Sequence, residues 1–406
     1  MARILVLDGH CSAALAFVRS LGRAGHWVAV AAGADSPNTA ALSRYCRASQ
    51  SYPSFLEDSQ QACRSVAQIA ATHHADMIVP LTDATVWPLT LFREEAGVLP
   101  AVAAANRDAL TVALDKHRTM AAAAECGVRA PRTLLVRSLS DLAVLDGWSL
   151  PLVVKDRFSI RWIGSRGVPG RVAFPDSREA LRTLVETRLR EAGDVLVQEF
   201  CPGDGIGFSC FAIEGEVYLP FQWRRLREKD PRGSGSSARR SLPLDPRISE
   251  CALRLLKALD YSGLAMIEFK RRGSDFYLME VNARPWGSLQ LPAHCGIDYP
   301  QSAARWYLGG ERPERCKPYK VGITSRSLVD DLVHLENVWE GRPRGWPLPY
   351  PRLVPTLLKV LTPWYPGLRY DDLWLRDPRP ATAGLARWLE RHGQSWLGWR
   401  KGKATT

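Results

Sequence analysis

"LAMIEFKRRGSDFYLMEVNARPWGSL" (Leu264–Leu289) is the stretch on which the reading of this chain turns. Two apolar arms, LAMIEFK and FYLMEVN, flank RRGSD, a turn signal, and so predict a β-hairpin. Pairing centred on Ser274 puts Glu268 opposite Glu280 and Met266 opposite Asn282. Opposed residues share a face, and a two-residue period sets Glu280 and Asn282 on the same one. Ile267, Phe269, Tyr277, Met279 and Val281 are then expected to form the buried face. A turn centred between Gly273 and Ser274 would separate the two acids, so register decides the reading.

Two facing carboxylates repel unless a cation lies between them. Oxygen donors alone, without sulfur or imidazole, suit a hard ion such as magnesium that also holds nucleotide phosphates. A solvated acidic face is the alternative. Upstream, Lys155 ends the apolar run LPLVVK, before a glycine-bearing loop that contains Gly164 and Gly167. Glycine lets backbone N–H groups approach phosphate oxygens, although such a lysine can also simply snorkel. Lys116 follows Asp115, a predicted N-cap, and stands near a helix start where a phosphate could sit. VLVQEFCPGDG ends a strand at Gln198 and Glu199 and continues through Phe200 and Cys201 to Asp204, either as a plain turn or as a connector along an adenine edge.

The 406 residues carry 46% hydrophobic and 24% charged side chains, as expected of two or three globular domains. The nine cysteines show no zinc spacing, which predicts buried thiols in a reducing cytoplasm. No window approaches the roughly 18 apolar residues of a membrane span. The net charge of +12 comes with no nucleic-acid signature, and phosphate-bearing small molecules account for it equally well.

RILVLDG, CSAALAFVRSLGRAG, HWVAVAAG, SQQACRSVAQIAATHH and ADMIVPLTD alternate strand and helix. This order predicts an open parallel α/β sheet over residues 1–105. DGHCSAA lacks the further glycines of a dinucleotide turn, so that turn is read as a tight strand-to-helix passage. Mixed strands and helices predict an α+β domain over 106–310, and half of the fourteen tryptophans fall in a C-terminal extension, 311–406. DPRGSGSSARR is read as a mobile loop.

Two lysines, a glycine loop, a QEF-CPGDG connector and Glu…Glu-x-Asn-x-Arg occur in an order that resembles the ATP-grasp superfamily, in particular its carbamoyl-phosphate-synthase-like and carboxylate–amine ligase branches. MIEF…LMEVNARPWGSLQLPAHCGIDYP is the most specific match, and FQWRRLREKDPRGSGSSARRS looks like a segment common in bacterial proteins of this branch. The resemblance covers roughly residues 1–310 and implies a parallel-sheet domain leading into an ATP-grasp domain. It implies that Glu268, Glu280 and Asn282 bind one or two magnesium ions, with manganese as substitute. It also implies that Lys116 and Lys155 hold ATP phosphates under the 164–170 loop, that Gln198, Glu199, Phe200 and Cys201 line adenine, and that Asp204 reaches ribose. Arg284 is the implied catalytic residue, stabilising the transferred phosphoryl group. The expected activity is ATP-dependent joining of a small carboxylate substrate to an amine through an acyl-phosphate. Carbamoyl-phosphate-like phosphoryl transfer and a nucleotide-binding scaffold without turnover are the alternatives. The chain departs from the family pattern at Gln198, where glutamate is common, and at Ala283 and Pro285 in the Asn-Ala-Arg-Pro-Trp-Gly segment.

Arg225, Arg240 and Trp286 are substrate-contact candidates, with Arg224, Arg227 and Arg239 in the same basic cluster. Similar proteins suggest a homodimer. The C-terminal helix, with Leu385, Trp388 and Leu389 as its apolar stripe, is expected either to pack on the body or to touch a membrane surface.

Overall fold

A computed structural model describes residues 1–97, 99–343, 346 and 348–403; for residues 96 and 392–403 only the backbone is described. The N-terminal segment runs β1 (Arg3–Val6), α1 (Ser12–Arg23), β2 (Trp27–Gly33), β3 (Ala48–Tyr52), α2 (Ser59–Thr72), β4 (Met77–Val79), α3 (Asp83–Ala96) and β5 (Ala101–Val102). These strands form a parallel sheet in the order β3-β2-β1-β4-β5. Its central strands are continuous apolar runs because helices cover both faces. The polar edge strand β3, ASQSY, has no apolar pattern to announce it.

Two helices follow, α4 (Arg107–Ala113) and α5 (Lys116–Glu125). A second unit comprises β6 (Thr133–Val136), β7 (Leu152–Lys155), β8 (Ile160–Ile163), β9 (Arg166–Pro169), β10 (Val172–Ala173), α6 (Arg178–Ala192) and β11 (Val195–Glu199). β10-β7-β11-β6 is a small antiparallel sheet, and Val136, Leu152, Val154 and Val197 pack it onto Leu181 and Val185 of α6.

The remainder runs β12 (Asp204–Ile213), β13 (Glu216–Glu228), β14 (Ser236–Leu242), α7 (Pro246–Ala258), β15 (Gly263–Arg272), β16 (Asp275–Asn282), α8 (Gln290–Cys295) and α9 (Tyr299–Gly309). It continues through β17 (Thr324–Arg326), α10 (Leu328–Glu340), α11 (Leu353–Leu361), β18 (Leu368–Tyr370) and α12 (Arg379–Lys403). Seven of these strands form a large sheet, ordered β16-β15-β12-β13-β14-β17-β18. Residues beyond 310, set apart on composition as an extension, therefore contribute two of its strands. DPRGSGSSARR is only in part a loop, since β14 begins at Ser236.

The large sheet packs differently on its two faces. Ile206, Phe208, Ile267, Phe269 and Leu278 pack against α7 and α4. On the other face, Phe221, Trp223 and Met266 share one core with Ile4, Phe17 and Leu21 of the N-terminal sheet layer. Two residues past Met266, the same face of β15 leaves that core and carries Glu268.

Candidate functional site

The hairpin β15–β16 pairs Glu268 with Glu280 and Met266 with Asn282. The register arises differently from the expectation. The turn is centred between Gly273 and Ser274, because Arg272 pairs with Asp275. Gly273 adopts φ 61°, the left-handed conformation that a two-residue hairpin loop needs at its first central position. A bulge at Met279 then adds one residue, so that Phe269 pairs with Leu278 while Glu268 still meets Glu280. Consequently Leu278, not Tyr277, joins Ile267, Phe269 and Val281 in the core, and Met279 is only half-buried.

A guanidinium already lies against the acidic face. Arg225 Nη2 donates to Glu268 Oε2 at 2.5 Å, and Nη1 donates to Glu228 Oε1 at 2.8 Å. Burial raises the Glu268 carboxyl above its usual range, Arg225 opposes that shift, and Glu280 adds to it. Asn282 Nδ2 donates to Glu280 Oε1 at 3.2 Å. Two opposed carboxylates and an amide fit the oxygen preference of a hard divalent ion, which takes its remaining donors from phosphate and water. Among the described residues, no group of three or more His, Cys, Asp or Glu side chains is arranged to hold a metal by itself.

The two lysines reach this face from different elements. Asp115 caps α5 as expected, accepting from the N–H groups of His117 and Arg118. The cap sets Lys116 at the helix start, where its Nζ donates to Ser159 Oγ at 3.1 Å. Lys155 ends β7, buried, and donates to Gln198 Oε1 at 2.8 Å. Burial, then the neighbouring Lys116 charge, pull Lys155 down to about 8 against the opposing pull of Glu280. Burial also lowers Lys116, again against Glu280 and Asp83. Arg284, immediately past β16, donates from Nε to Asp83 Oδ1 at 2.8 Å. Asp83 opens α3 after β4, where the strand order of the parallel sheet reverses beside β1. Ligands of such sheets bind outside the carboxyl ends of the strands at that reversal, a signal that could have singled out Asp83 from the sequence. Asp83, Lys116, Ser159, Glu280 and Asn282 enclose a cavity of about 20 Å³.

Gly164 and Gly167 belong not to an irregular loop but to the hairpin β8–β9. Its far end docks on the N-terminal domain: Ser59 N–H donates to Ser165 O at 2.8 Å, and Gly167 N–H to Leu56 O at 2.9 Å. Along the connector, Gln198 faces inward and donates to Thr133 Oγ1 at 2.6 Å, whereas Glu199 turns out to Arg132 at 2.9 Å. Phe200 packs edge-on to Phe174 and Trp346. Cys201 is partly buried, and Asp204 pairs with Arg271 at 3.1 Å. Phe200, Asp204, Arg225 and Lys270 share the lining of a cavity of about 580 Å³.

A family described as "ATP-grasp in the biosynthetic pathway with Ter operon" matches residues 191–327. An L-amino acid ligase from Bacillus licheniformis superposes with a TM-score of 0.56 at 18% identity, over 76% of this chain and 74% of that one. The biotin carboxylase domain dimer of Hydrogenobacter thermophilus 2-oxoglutarate carboxylase, solved with MgADP, ADP and bicarbonate, gives 0.63 at 15% identity, over 80% and 73%. N5-carboxyaminoimidazole ribonucleotide synthetase, solved with ADP, gives 0.57 at 14% identity, over 80% of both chains. The chain has the ATP-grasp fold. The superfamily resemblance drawn from the hairpin and its two upstream lysines is thereby borne out at the level of fold. No curated protein matches the chain.

Within the ATP-grasp architecture, three substrate-contact expectations change. Arg225 is committed to Glu268, Glu228 and the Ser234 carbonyl, so the acidic face holds it. Arg240 is exposed and paired with Arg224, on the sheet face opposite Glu268. Trp286 is buried in the core, its ring 5.5 Å from that of Tyr299. Arg227 and Arg239 of the basic cluster are tied up in ion pairs with acids of the C-terminal residues, neither an anion clamp nor a solvated loop. Arg227 donates to Asp331 from Nε and Nη2, and buried Arg239 pairs with Asp371. In α12, Leu385 and Trp388 are half-buried and Arg387 donates to Thr39 Oγ1 at 2.5 Å, which fits packing of that part of the stripe, whereas Leu389 is exposed; membrane contact is not supported. No described helix is long and apolar enough to cross a membrane. The tryptophans beyond residue 391 lie outside the described side chains.

Proposed function

We propose that the chain is an ATP- and magnesium-dependent ligase that activates a small carboxylate substrate as an acyl-phosphate and joins it to an amine. The observation that carries this reading is the cavity where Lys116 meets Glu280 and Asn282, with Glu268 paired to Glu280. Asp83, on the same lining, holds Arg284, and Lys155 lies within reach of the Lys116 and Glu280 charges. Glu268, Glu280 and the Asn282 amide oxygen would hold one or two magnesium ions. Bound magnesium would supply neutralisation of phosphate charge. Lys155, hydrogen-bonded to Gln198, would take the inner phosphates, and Lys116 the terminal one. The Gln198–Cys201 backbone would line adenine and Asp204 would approach ribose. The β8–β9 hairpin would exclude water, carrying Gly164 and Gly167 over the phosphates. Arg284, held by Asp83, would stabilise charge as the substrate carboxylate oxygen attacks the terminal phosphorus and ADP leaves. The amine then attacks the acyl carbon and phosphate departs. Structures of this fold solved with ADP, one with its magnesium salt, support the choice of nucleotide.

Glu280→Gln is the decisive variant. It should keep the wild-type melting temperature and lose at least about a hundredfold in ADP release. Full retained activity would remove the assignment.

A further inference from the structure

The 20 Å³ cavity between Lys116 and Glu280 has a larger neighbour on the far side of Ser159. Beyond Asp83, Leu114 and Ser159, whose side chains line both spaces, a second cavity of about 240 Å³ opens. Its walls are apolar: Trp87 of α3, Leu110 of α4, Leu114, Phe158, and Ile160 and Trp162 of β8. Of these only Leu110 is fully buried; the others stay partly open to solvent. The outer wall is carried by the hairpin that the Ser59–Ser165 and Leu56–Gly167 backbone bonds hold against the N-terminal domain.

We infer that this cavity receives the non-reacting part of the carboxylate substrate, and that this part is apolar, the size of a phenyl ring or a branched alkyl chain. The inference rests on the ligase reading and adds a substrate class to it. The two cavities share Ser159, the partner of Lys116, as a wall, so an acid with its carboxylate at the Lys116–Glu280 end would point its tail between Trp87 and Trp162. A polar tail would trade its hydration for aromatic and aliphatic walls, with Thr111 and Arg161 as the further polar lining. An apolar tail removes those walls from water at no such cost. Leu114 belongs to both cavities, so it stands where the carboxylate gives way to its tail.

The test uses the full chain with MgATP and hydroxylamine as the amine. Attack of the hydroxylamine nitrogen on the acyl carbon breaks the bond to phosphate and leaves a hydroxamate. The acids are 3-phenylpropionate and 4-methylpentanoate against succinate and glycolate. Apolar acids should give kcat/KM about ten- to a hundredfold above the polar ones. Trp162→Ala should lower the value for 3-phenylpropionate about tenfold and leave succinate within about twofold. Ile160→Ala, a smaller change on the same strand, should act in the same direction. Equal rates across the acids, or one loss common to all, would overturn the inference while leaving the ligase reading intact. If no acid is turned over, calorimetry with the acids alone separates the two claims. Binding of 3-phenylpropionate that Trp162→Ala weakens keeps the pocket and removes the ligase reading, whereas no binding of either class removes the pocket assignment.

Discussion

At the scale of single residues, the site is a balance of buried charges in which each group's state depends on its neighbours. Lys155 shows this most directly. Its ammonium loses hydration on burial and faces Lys116, so it titrates at about 8 rather than in the ordinary lysine range. A phosphate oxygen prefers the protonated lysine. Below about pH 8 the group is already charged when nucleotide arrives, and above it binding must take up a proton. Affinity for ADP should therefore fall as pH rises through 8, by up to about tenfold per unit. Calorimetry in buffers of different ionisation enthalpy should record that uptake above pH 8 but not at pH 6.5. A flat affinity profile would show that Lys155 does not hold phosphate. Arg225 is the residue whose type was visible in the sequence and whose partner was not. The question of which cation lies between two facing acids has, in part, an answer from β13, 43 residues upstream of Glu268.

At the scale of elements, β12, β13 and β15 work as a unit, since Gly205 and Gly207 remove side chains where others must cross. A Cβ at Gly205 would lie 2.7 Å from Arg225 Cδ and 3.2 Å from Cγ. Gly205→Ala should thus push the Arg225 stem off its path and loosen its grip on Glu268. The expected result is about a tenfold weaker Kd for MgADP with the melting temperature lowered by only a few degrees, measured by titration and calorimetry. Unchanged MgADP binding would mean that Arg225 does not position Glu268. The hairpin itself was legible as an element from RRGSD and its two apolar arms. Its bulge was not, because Met279 is an ordinary strand residue and nothing local marks it as the extra one. The pairing of the two acids was expected from a turn centred on Ser274. It arises from a shorter turn plus the bulge, and the bulge also moves Leu278 into the core.

At the scale of the whole molecule, buried ion pairs sew the C-terminal residues to both sheets. Arg19 of α1 donates from Nε to Asp377 at 2.8 Å with both groups almost fully buried, and its other nitrogens reach the carbonyls of Asp371, Asp372 and Asp377. Asp377 also accepts from Ser43 Oγ and Arg44 N–H. Removing one partner leaves the other charged and buried, so Arg19→Met should cost about 3–5 kcal/mol. Urea unfolding followed by tryptophan fluorescence would measure it, and a loss below about 1 kcal/mol would show that the C-terminal residues are not held through this pair. Such pairs also bear on the charge balance. The +12 is an excess that ion pairs leave untouched, but Arg227 and Arg239 are counterions of the buried Asp331 and Asp371 and so offer no free charge to a polyanion.

The sequence by itself determined the alternation of buried strand and helix in the first hundred residues, the Asp115 cap, the hairpin, and the oxygen-only character of its acidic face. Those features are local: periodicity, capping and turn chemistry act over a few residues, and one sequence displays them. Only the tertiary structure decided which side chains meet. It brought Asp83 to Arg284 across 201 residues, Arg225 to Glu268, and the hairpin β8–β9 onto the N-terminal domain. It also turned Arg240 to the far face and buried Trp286. Such contacts follow from sheet order, strand register and a bulge, each set by the packing of the whole chain, and a one-residue slip in any of them reverses a side chain's face.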